Sequence, residues 1–245
     1  MRVITNTKLA KRNRQWAQYL FFASFGLLIL GLFVTNRQLA PQESMNVLLD
    51  VILPTAVLPV AFVMTIISVR MTNLWSRMPR PEAAIEEGLK GIPPKTTLFS
   101  YYHFPARHVL ICPAGVFAIV TRFQDGMHSC VGDKWRTERS FLGRLASFFR
   151  FDSIGNPTVD ALNAASHVKA IFQSAGMDVD VKPLVLFVDP RVRLEVTDPL
   201  VAVCHASPKH ELSLKSYLYE LGKDKKFPLS QDEIDRFALE SGVRL

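Results

Sequence analysis

Acidic and basic side chains that could take part in metal or phosphate chemistry are concentrated in the middle of the chain. Two carboxylates, Asp125 and Glu138, lie close together in the sequence, and carboxylate oxygens are preferred ligands of Mg²⁺. Asp125 stands in a Gln-Asp-Gly turn, where aspartate is common for backbone reasons alone. Basic residues follow this turn, and such residues bind nucleic-acid phosphates or anionic lipid headgroups. They are Lys134, Arg136, Arg139, Arg144 and Arg150, and Arg122, just before the turn, is a further candidate for such contact.

Apolar residues are interleaved with these basic residues at helical intervals. They are Phe141, Leu142, Leu145, Phe148 and Phe149. The spacing predicts an amphipathic basic helix. Three roles are open for it: lying on the anionic inner leaflet, contacting nucleic acid, or packing its aromatic face on a sheet.

The elements around these residues centre on a β-hairpin. Apolar runs at 109–111 and 116–121 are separated by Pro113, Ala114 and Gly115, a pattern typical of two strands joined by a tight turn. Both runs are almost continuously apolar, which predicts strands buried on both faces. Residues 127–131 are expected to return as the third strand of a meander.

Helices and further strands surround the predicted meander. A strand at 96–104 precedes it, and a helix begins near Pro81. Asn156 and Pro157 are typical of a helix start. Later elements are strands at 182–188 and 200–205 and helices at 211–221 and 231–239, the last with a capping box formed by Ser230 and Glu233.

The hairpin and its surroundings resemble the nuclease-related domain (NERD) family. The pattern consists of a histidine, an apolar run, Pro-x-Gly-Val-Phe, an Asp-Gly turn and Gly-x-x-Trp, followed by Gly-Asn-Pro at 155–157 and a strand at 184–188. It covers about residues 82–190. The resemblance implies a restriction-endonuclease-like α/β (α+β) fold, a mixed sheet flanked by helices. In that fold an acid on one strand and an acid-x-basic triplet on the next bind a divalent metal.

The chain departs from the family at both acidic positions. Arg107 and Val120 occupy them, and Arg122 occupies the basic position. Neither guanidinium nor valine can ligate a cation, so the resemblance implies binding without cleavage and without a cofactor. Glu82 matches a family glutamate that assists the metal, although a solvated helix face is the simpler expectation. The alternative is an active Mg²⁺-dependent nuclease in which Asp125 and Glu138 replace the missing ligands.

The first part of the chain is strongly apolar. Hydrophobic residues make up 49% of the whole sequence, and its mean hydropathy is +0.15. Segments at about 17–35 and 47–69 are long enough to cross a bilayer as helices, and Trp16 and Tyr19 are suited to its interface. We therefore predict a transmembrane hairpin rather than a cleaved signal peptide or two core helices of a soluble bundle.

Flanking charges predict how the hairpin is oriented. Five basic residues and no acid precede the first segment: Arg2, Lys8, Lys11, Arg12 and Arg14. Three arginines follow the second: Arg70, Arg77 and Arg80. The positive-inside rule then places both termini of this multi-pass protein in the cytosol, at the cell (inner) membrane. Cys112, Cys130 and Cys204 match no zinc-binding spacing and are expected to be buried thiols.

These observations predict a membrane protein with one cytosolic domain. The expected parts are a basic N-terminus (1–15), the hairpin (16–72), a linker (73–81) and the NERD-like domain (82–245), whose C-terminal strand and helices occupy 191–245. Its expected partners are the lipid bilayer and either nucleic acid or a protein at the inner leaflet. A net charge of +7 permits nucleic-acid contact, and a purely structural interaction protein remains an alternative.

Overall fold

The computed structural model describes residues 1–38, 52–92, 95–138, 153–222 and 229–240. These residues belong to two compact units. An α/β domain contains residues 1–6 together with the described residues after 77, and a helical hairpin occupies the described part of 7–77.

Nine strands and six helices form these units in the described part of the chain. The strands are β1 (Arg2–Thr5), β2 (Thr97–His103), β3 (Ala106–Cys112), β4 (Gly115–Arg122), β5 (Gly126–Val131), β6 (Lys134–Glu138), β7 (Val181–Phe187), β8 (Val192–Thr197) and β9 (Ala202–His205). The helices are α1 (Thr7–Gln38), α2 (Leu53–Trp75), α3 (Pro81–Gly88), α4 (Pro157–Ser174), α5 (Leu214–Gly222) and α6 (Gln231–Glu240).

The main sheet has six strands in the order β1-β2-β3-β4-β7-β9. Strands β2, β3 and β4 are antiparallel, whereas β4, β7 and β9 are parallel, and β1 is parallel to β2. Residues of α4 and α6 pack in the core on one face, and residues of α3 and α5 pack in the core on the other. The predicted mixed sheet flanked by helices is therefore confirmed, as is the burial of its central strands on both faces.

The predicted meander is only partly correct. Strands β3 and β4 form the expected hairpin, with Cys112 paired to Gly115. However, β5 leaves the main sheet and pairs with β6 and β8 in a separate three-stranded sheet. The reason is that β7 already pairs with the free edge of β4 along its length, from Val116 to Arg122.

The basic helix predicted from Lys134 onward is wrong at its start. Lys134 and Arg136 lie in strand β6, where Trp135 between them points toward α4 and its Nε1 donates to Thr158 Oγ1 at 2.8 Å. Successive side chains of this segment therefore alternate between the two faces of a strand and do not follow the helical spacing. The other residues of that prediction, Arg139, Arg144 and Arg150, lie outside the described residues.

Both predicted helix caps are confirmed. The Asn156 side chain accepts a hydrogen bond from the Val159 amide at 3.2 Å. Ser230 and Glu233 form the reciprocal capping box, with Glu233 accepting from the Ser230 amide at 2.7 Å. Strands β1 and β8 were not anticipated. Residues of β1 had been expected only to form a basic flank.

The helical hairpin is packed mostly through small residues. On α1 the buried positions are Ala10, Ala17, Ser24 and Gly31, which recur every seven residues, together with Val34. On α2 they are Val57, Ala61, Ser68 and Trp75. The side chains of α2 come so close that a Cβ at Gly31 would lie 3.0 Å from Leu58 Cδ2. At the other end, Arg14 Nε donates to the Trp75 carbonyl at 3.0 Å. The two helices are long and apolar enough to cross a membrane.

Candidate functional site

Strand register brings together the three positions singled out by the family resemblance. His108 pairs with Ile119 in the antiparallel β3–β4 ladder, so the preceding Arg107 lies opposite Val120. Arg122 follows two residues after Val120 and therefore points to the same face of the sheet. That face is the one covered by α4, since Val120 packs against the core that contains the α4 residues.

Arg122 is anchored by the protein itself. Its guanidinium donates to the carbonyls of Ile154 and Thr121, both at 3.2 Å, and it forms an ion pair with Asp160 of α4. The Arg122 side chain is only 14% exposed. Burial lowers the pKa of Arg122, and the Asp160 carboxylate acts in the opposite direction. Arg122 thus ties the end of β4 to the first turn of α4.

Arg107 lacks such an anchor. Its side chain is half-buried, yet its guanidinium makes no hydrogen bond or ion pair with any residue that the structure describes. Burial lowers the pKa of Arg107; the nearby Tyr101 raises it, and the like charge of Arg122 lowers it further. Withdrawing a guanidinium even partly from water without a counter-charge is unfavourable, although by less than for a fully buried ion.

Tyr101 of β2 has an unusual backbone conformation, and its ring packs edge-on against His108 with centroids 5.1 Å apart. The β2–β3 register shifts between Ser100 and His103, and Tyr101 within this bulge has φ +67°. A left-handed conformation costs a bulky residue about 1–3 kcal/mol and is concentrated at functional sites. The Tyr101 hydroxyl donates to Glu82 Oε2 at 2.7 Å. Glu82 is thus not merely part of a solvated helix face, because it fixes the phenol of Tyr101.

His108 lies next to Arg107 but points to the opposite face of the sheet. Its Nδ1 is 3.0 Å from Ser100 Oγ, and its Nε2 is buried with no hydrogen-bond partner among the described residues. Burial lowers the pKa of His108 to about 3, with a smaller contribution from the charge of Arg107. His108 is therefore neutral at physiological pH and too weak a base for proton abstraction.

Neither of the proposed replacement carboxylates belongs to the β3–β4 hairpin. Asp125 forms an ion pair with Arg191 at 3.2 Å, and Arg191 also binds the buried Asp189 at 2.9 Å. Glu138 is exposed at the end of β6, opposite Met127. Within the described ranges, no group of three or more histidine, cysteine or acidic side chains could hold a metal ion.

Lys134 and Arg136 are exposed on the outer face of the small sheet. The register places Glu138 and Glu195 on that same face, because they pair with Met127 and Ser129 of the central strand. The basic charge of this face is therefore partly balanced by acids. It remains a candidate for nucleic-acid or lipid contact, but it is not a uniformly basic surface.

The three cysteines are buried and free, as predicted. Burial raises the pKa of Cys112 to about 11 and that of Cys204 to about 12. Their thiolates are therefore scarce at physiological pH, which leaves these thiols as packing groups.

Sequence reasoning identified Arg107, Val120 and Arg122 but missed two residues that complete their surroundings. Asp160 is recognisable in the sequence only as an acid in a first helical turn, and nothing in the sequence signals the backbone conformation of Tyr101. Comparisons with family models, curated proteins and solved structures give no match, so the resemblance to the NERD family depends on the quoted residues alone.

Proposed function

We propose that this is an integral membrane protein that holds its α/β domain at the cytosolic face, where the domain binds an anionic partner such as nucleic acid without cleaving it. The observation that carries the membrane part of this proposal is the distribution of side-chain sizes in the hairpin. The residues buried between the helices are mostly alanine, serine and glycine, with Val34, Val57 and Trp75 beside them, whereas every phenylalanine of the hairpin is exposed.

In a water-soluble hairpin the opposite distribution is expected, because large apolar side chains stabilise the fold when they are buried. Burying one phenylalanine side chain contributes about 1.5–3 kcal/mol. Here Phe22 and Phe33 are each 68% exposed, and Phe21, Phe25 and Leu32 are exposed as well. Membrane helices pack through small residues because lipid solvates the large ones equally well.

The sheet of the α/β domain supports an even number of membrane crossings. Strand β1 precedes the hairpin in the chain and β2 follows it, yet the two are paired from Arg2–Thr97 to Thr5–Ser100. Both strands must therefore lie on one side of any membrane that the hairpin crosses. Cleavage of α1 as a signal peptide would also remove β1 from the sheet. The basic residues on both flanks favour the cytosolic side.

The binding part of the proposal is supported by Arg107. A half-buried guanidinium without a counter-charge favours an anionic ligand, and Val120 offers no carboxylate to hold a metal. A cleavage assay with Mg²⁺ separates this proposal from the nuclease alternative. We expect no cleavage by the full-length protein. Mg²⁺-dependent cleavage that is lost in Asp125→Ala or Glu138→Ala would instead establish the alternative.

The topology is tested in intact cells by thiol labelling. A cysteine introduced at Ser44, between the two helices, is expected to react with a membrane-impermeant maleimide added from outside. A cysteine at the exposed Val131 should react only after the cells are opened. Release of the protein from membranes by alkaline carbonate, or labelling of Val131→Cys in intact cells, would contradict the proposed arrangement.

A further inference from the structure

We infer that Arg107 is the anchor of a binding site for a phosphate-type oxyanion on the α4 face of the main sheet, with Arg122 contributing a second positive charge. This inference gives a location and a ligand class to the anion binding proposed above. It does not depend on membrane insertion, because every residue involved belongs to the α/β domain.

Arg107 carries an uncompensated charge. Arg122 is paired with Asp160, but Arg107 has no carboxylate within ion-pair distance in the described part of the chain. The Glu82 carboxylate accepts its hydrogen bond from Tyr101. Water could satisfy the N–H donors of Arg107, but an anion would also supply the counter-charge that Arg107 lacks.

The bulge in β2 leaves the face on which Arg107 lies clear of the Tyr101 side chain. The bulge and the left-handed conformation of Tyr101 persist in the fold although both are unfavourable. Such a bulge re-aims a side chain, and here the Tyr101 ring packs against His108 with centroids 5.1 Å apart while its hydroxyl donates to Glu82 of α3. Both partners lie on the face of the sheet opposite Arg107, so Tyr101 does not occupy the donors of Arg107.

The arginine side chain also indicates the class of ligand, a phosphate-type oxyanion. A planar guanidinium binds phosphate oxygens in a bidentate manner, and such charge-assisted bonds are the strong ones. Val120, directly opposite Arg107, has an apolar side chain at a position where the family resemblance implies an oxygen ligand. The arrangement thus favours an anion held directly by arginine over an anion held through a bridging metal ion.

The site is tested by phosphate binding to the full-length protein in detergent micelles, measured by calorimetry and by the shift in melting temperature. We expect inorganic phosphate to bind and stabilise the wild type. Arg107→Leu should weaken binding about tenfold to a hundredfold, the effect expected of one charge-assisted hydrogen-bond pair. Arg80→Leu, which removes an exposed arginine at the start of α3 on the opposite face of the main sheet, is the matched control and should bind like the wild type.

Stability without phosphate gives an independent readout. Because Arg107→Leu removes an uncompensated charge, its melting temperature should equal or exceed that of the wild type. Val120→Glu provides a second variant, since its carboxylate would lie opposite Arg107 and occupy the guanidinium. That variant is expected to lose phosphate binding with Arg107 still present.

Three results would overturn the inference. They are equal phosphate binding by wild type and Arg107→Leu, no phosphate binding by the wild type, and a lower melting temperature of Arg107→Leu without phosphate. A short single-stranded oligonucleotide in the same assay distinguishes a diester ligand from a free phosphate. If the oligonucleotide binds wild type and Arg107→Leu equally, the proposed nucleic-acid binding occurs elsewhere, and the phosphate site is judged by phosphate alone.

Discussion

Acidification is expected to destabilise the α/β domain through His103. This side chain is buried, its ring stacks on Phe237 with centroids 4.7 Å apart, and it meets the edge of Phe99 at 5.6 Å. Its Nε2 finds no hydrogen-bond partner among the described residues. Burial, aided by the nearby charge of His167, lowers the pKa of His103 from 6.5 to about 4.

The sign of the effect follows from which state binds the proton more tightly. In the unfolded chain His103 takes up a proton as the pH falls below 6.5, whereas in the folded protein it resists protonation until about pH 4. The stability contributed by neutral His103 is therefore complete above pH 6.5 and is lost on acidification. For these two pKa values the loss is about 2 kcal/mol at pH 5 and approaches about 3 kcal/mol at pH 3.

Denaturant unfolding of the full-length protein in detergent, at pH 7.5 and pH 5, measures this loss. His103→Phe retains an aromatic ring for the stack but cannot take up a proton. The free energy of unfolding should therefore fall about 2 kcal/mol less between the two pH values in His103→Phe than in the wild type. The other buried histidines, His108, His128 and His205, are present in both proteins, so their contributions cancel in the comparison.

The exposed His167 supplies the matched control. His167→Gln should retain nearly all of the wild-type pH dependence, because burial is the larger cause of the pKa shift. Equal pH dependence in wild type and His103→Phe would refute the reasoning. It would mean that His103 takes up its proton without loss of stability, through solvent or a partner.

Three further substitutions test the packing of the two units. Gly31→Leu should lower the melting temperature of the hairpin in detergent, because an α2 side chain already lies 3.0 Å from the new Cβ, whereas Gly26→Leu has no atom within 4 Å and should not. Ile4→Asp should make the α/β domain more sensitive to protease by placing a charge in its core, and Val3→Asp, on the exposed side of β1, should have little effect. Asn156→Ala should lower the free energy of unfolding by about 1 kcal/mol through loss of the helix cap.

The features that sequence reasoning predicted correctly are set by local chemistry. Pro113 and Gly115 mark a tight turn between two strongly apolar runs, and this local pattern predicts a hairpin without reference to the rest of the chain. The caps at Asn156 and Ser230 are likewise formed by residues three positions apart or fewer. Cys112 is predictable as a buried thiol because it ends an apolar strand.

The features that sequence reasoning missed depend on distant partners. Strand β5 had to leave the main sheet because β7, more than fifty residues farther along the chain, pairs with β4. Strand β1 becomes recognisable as a strand only through its pairing with β2. In the site, adjacency of Arg107, Val120 and Arg122 follows from the hairpin, but the pairing of Arg122 with Asp160 requires the position of α4.

The exposure of phenylalanine side chains differs between the two units. In the α/β domain Phe99, Phe117 and Phe237 are completely buried, as expected for a fold stabilised by removing apolar surface from water. In the hairpin Phe22 and Phe33 are exposed, while alanine, serine and glycine make up most of the buried positions. Both patterns are favourable in one polypeptide if the two units have different solvents. This difference is the physical basis for proposing that the hairpin lies in lipid and the α/β domain in water.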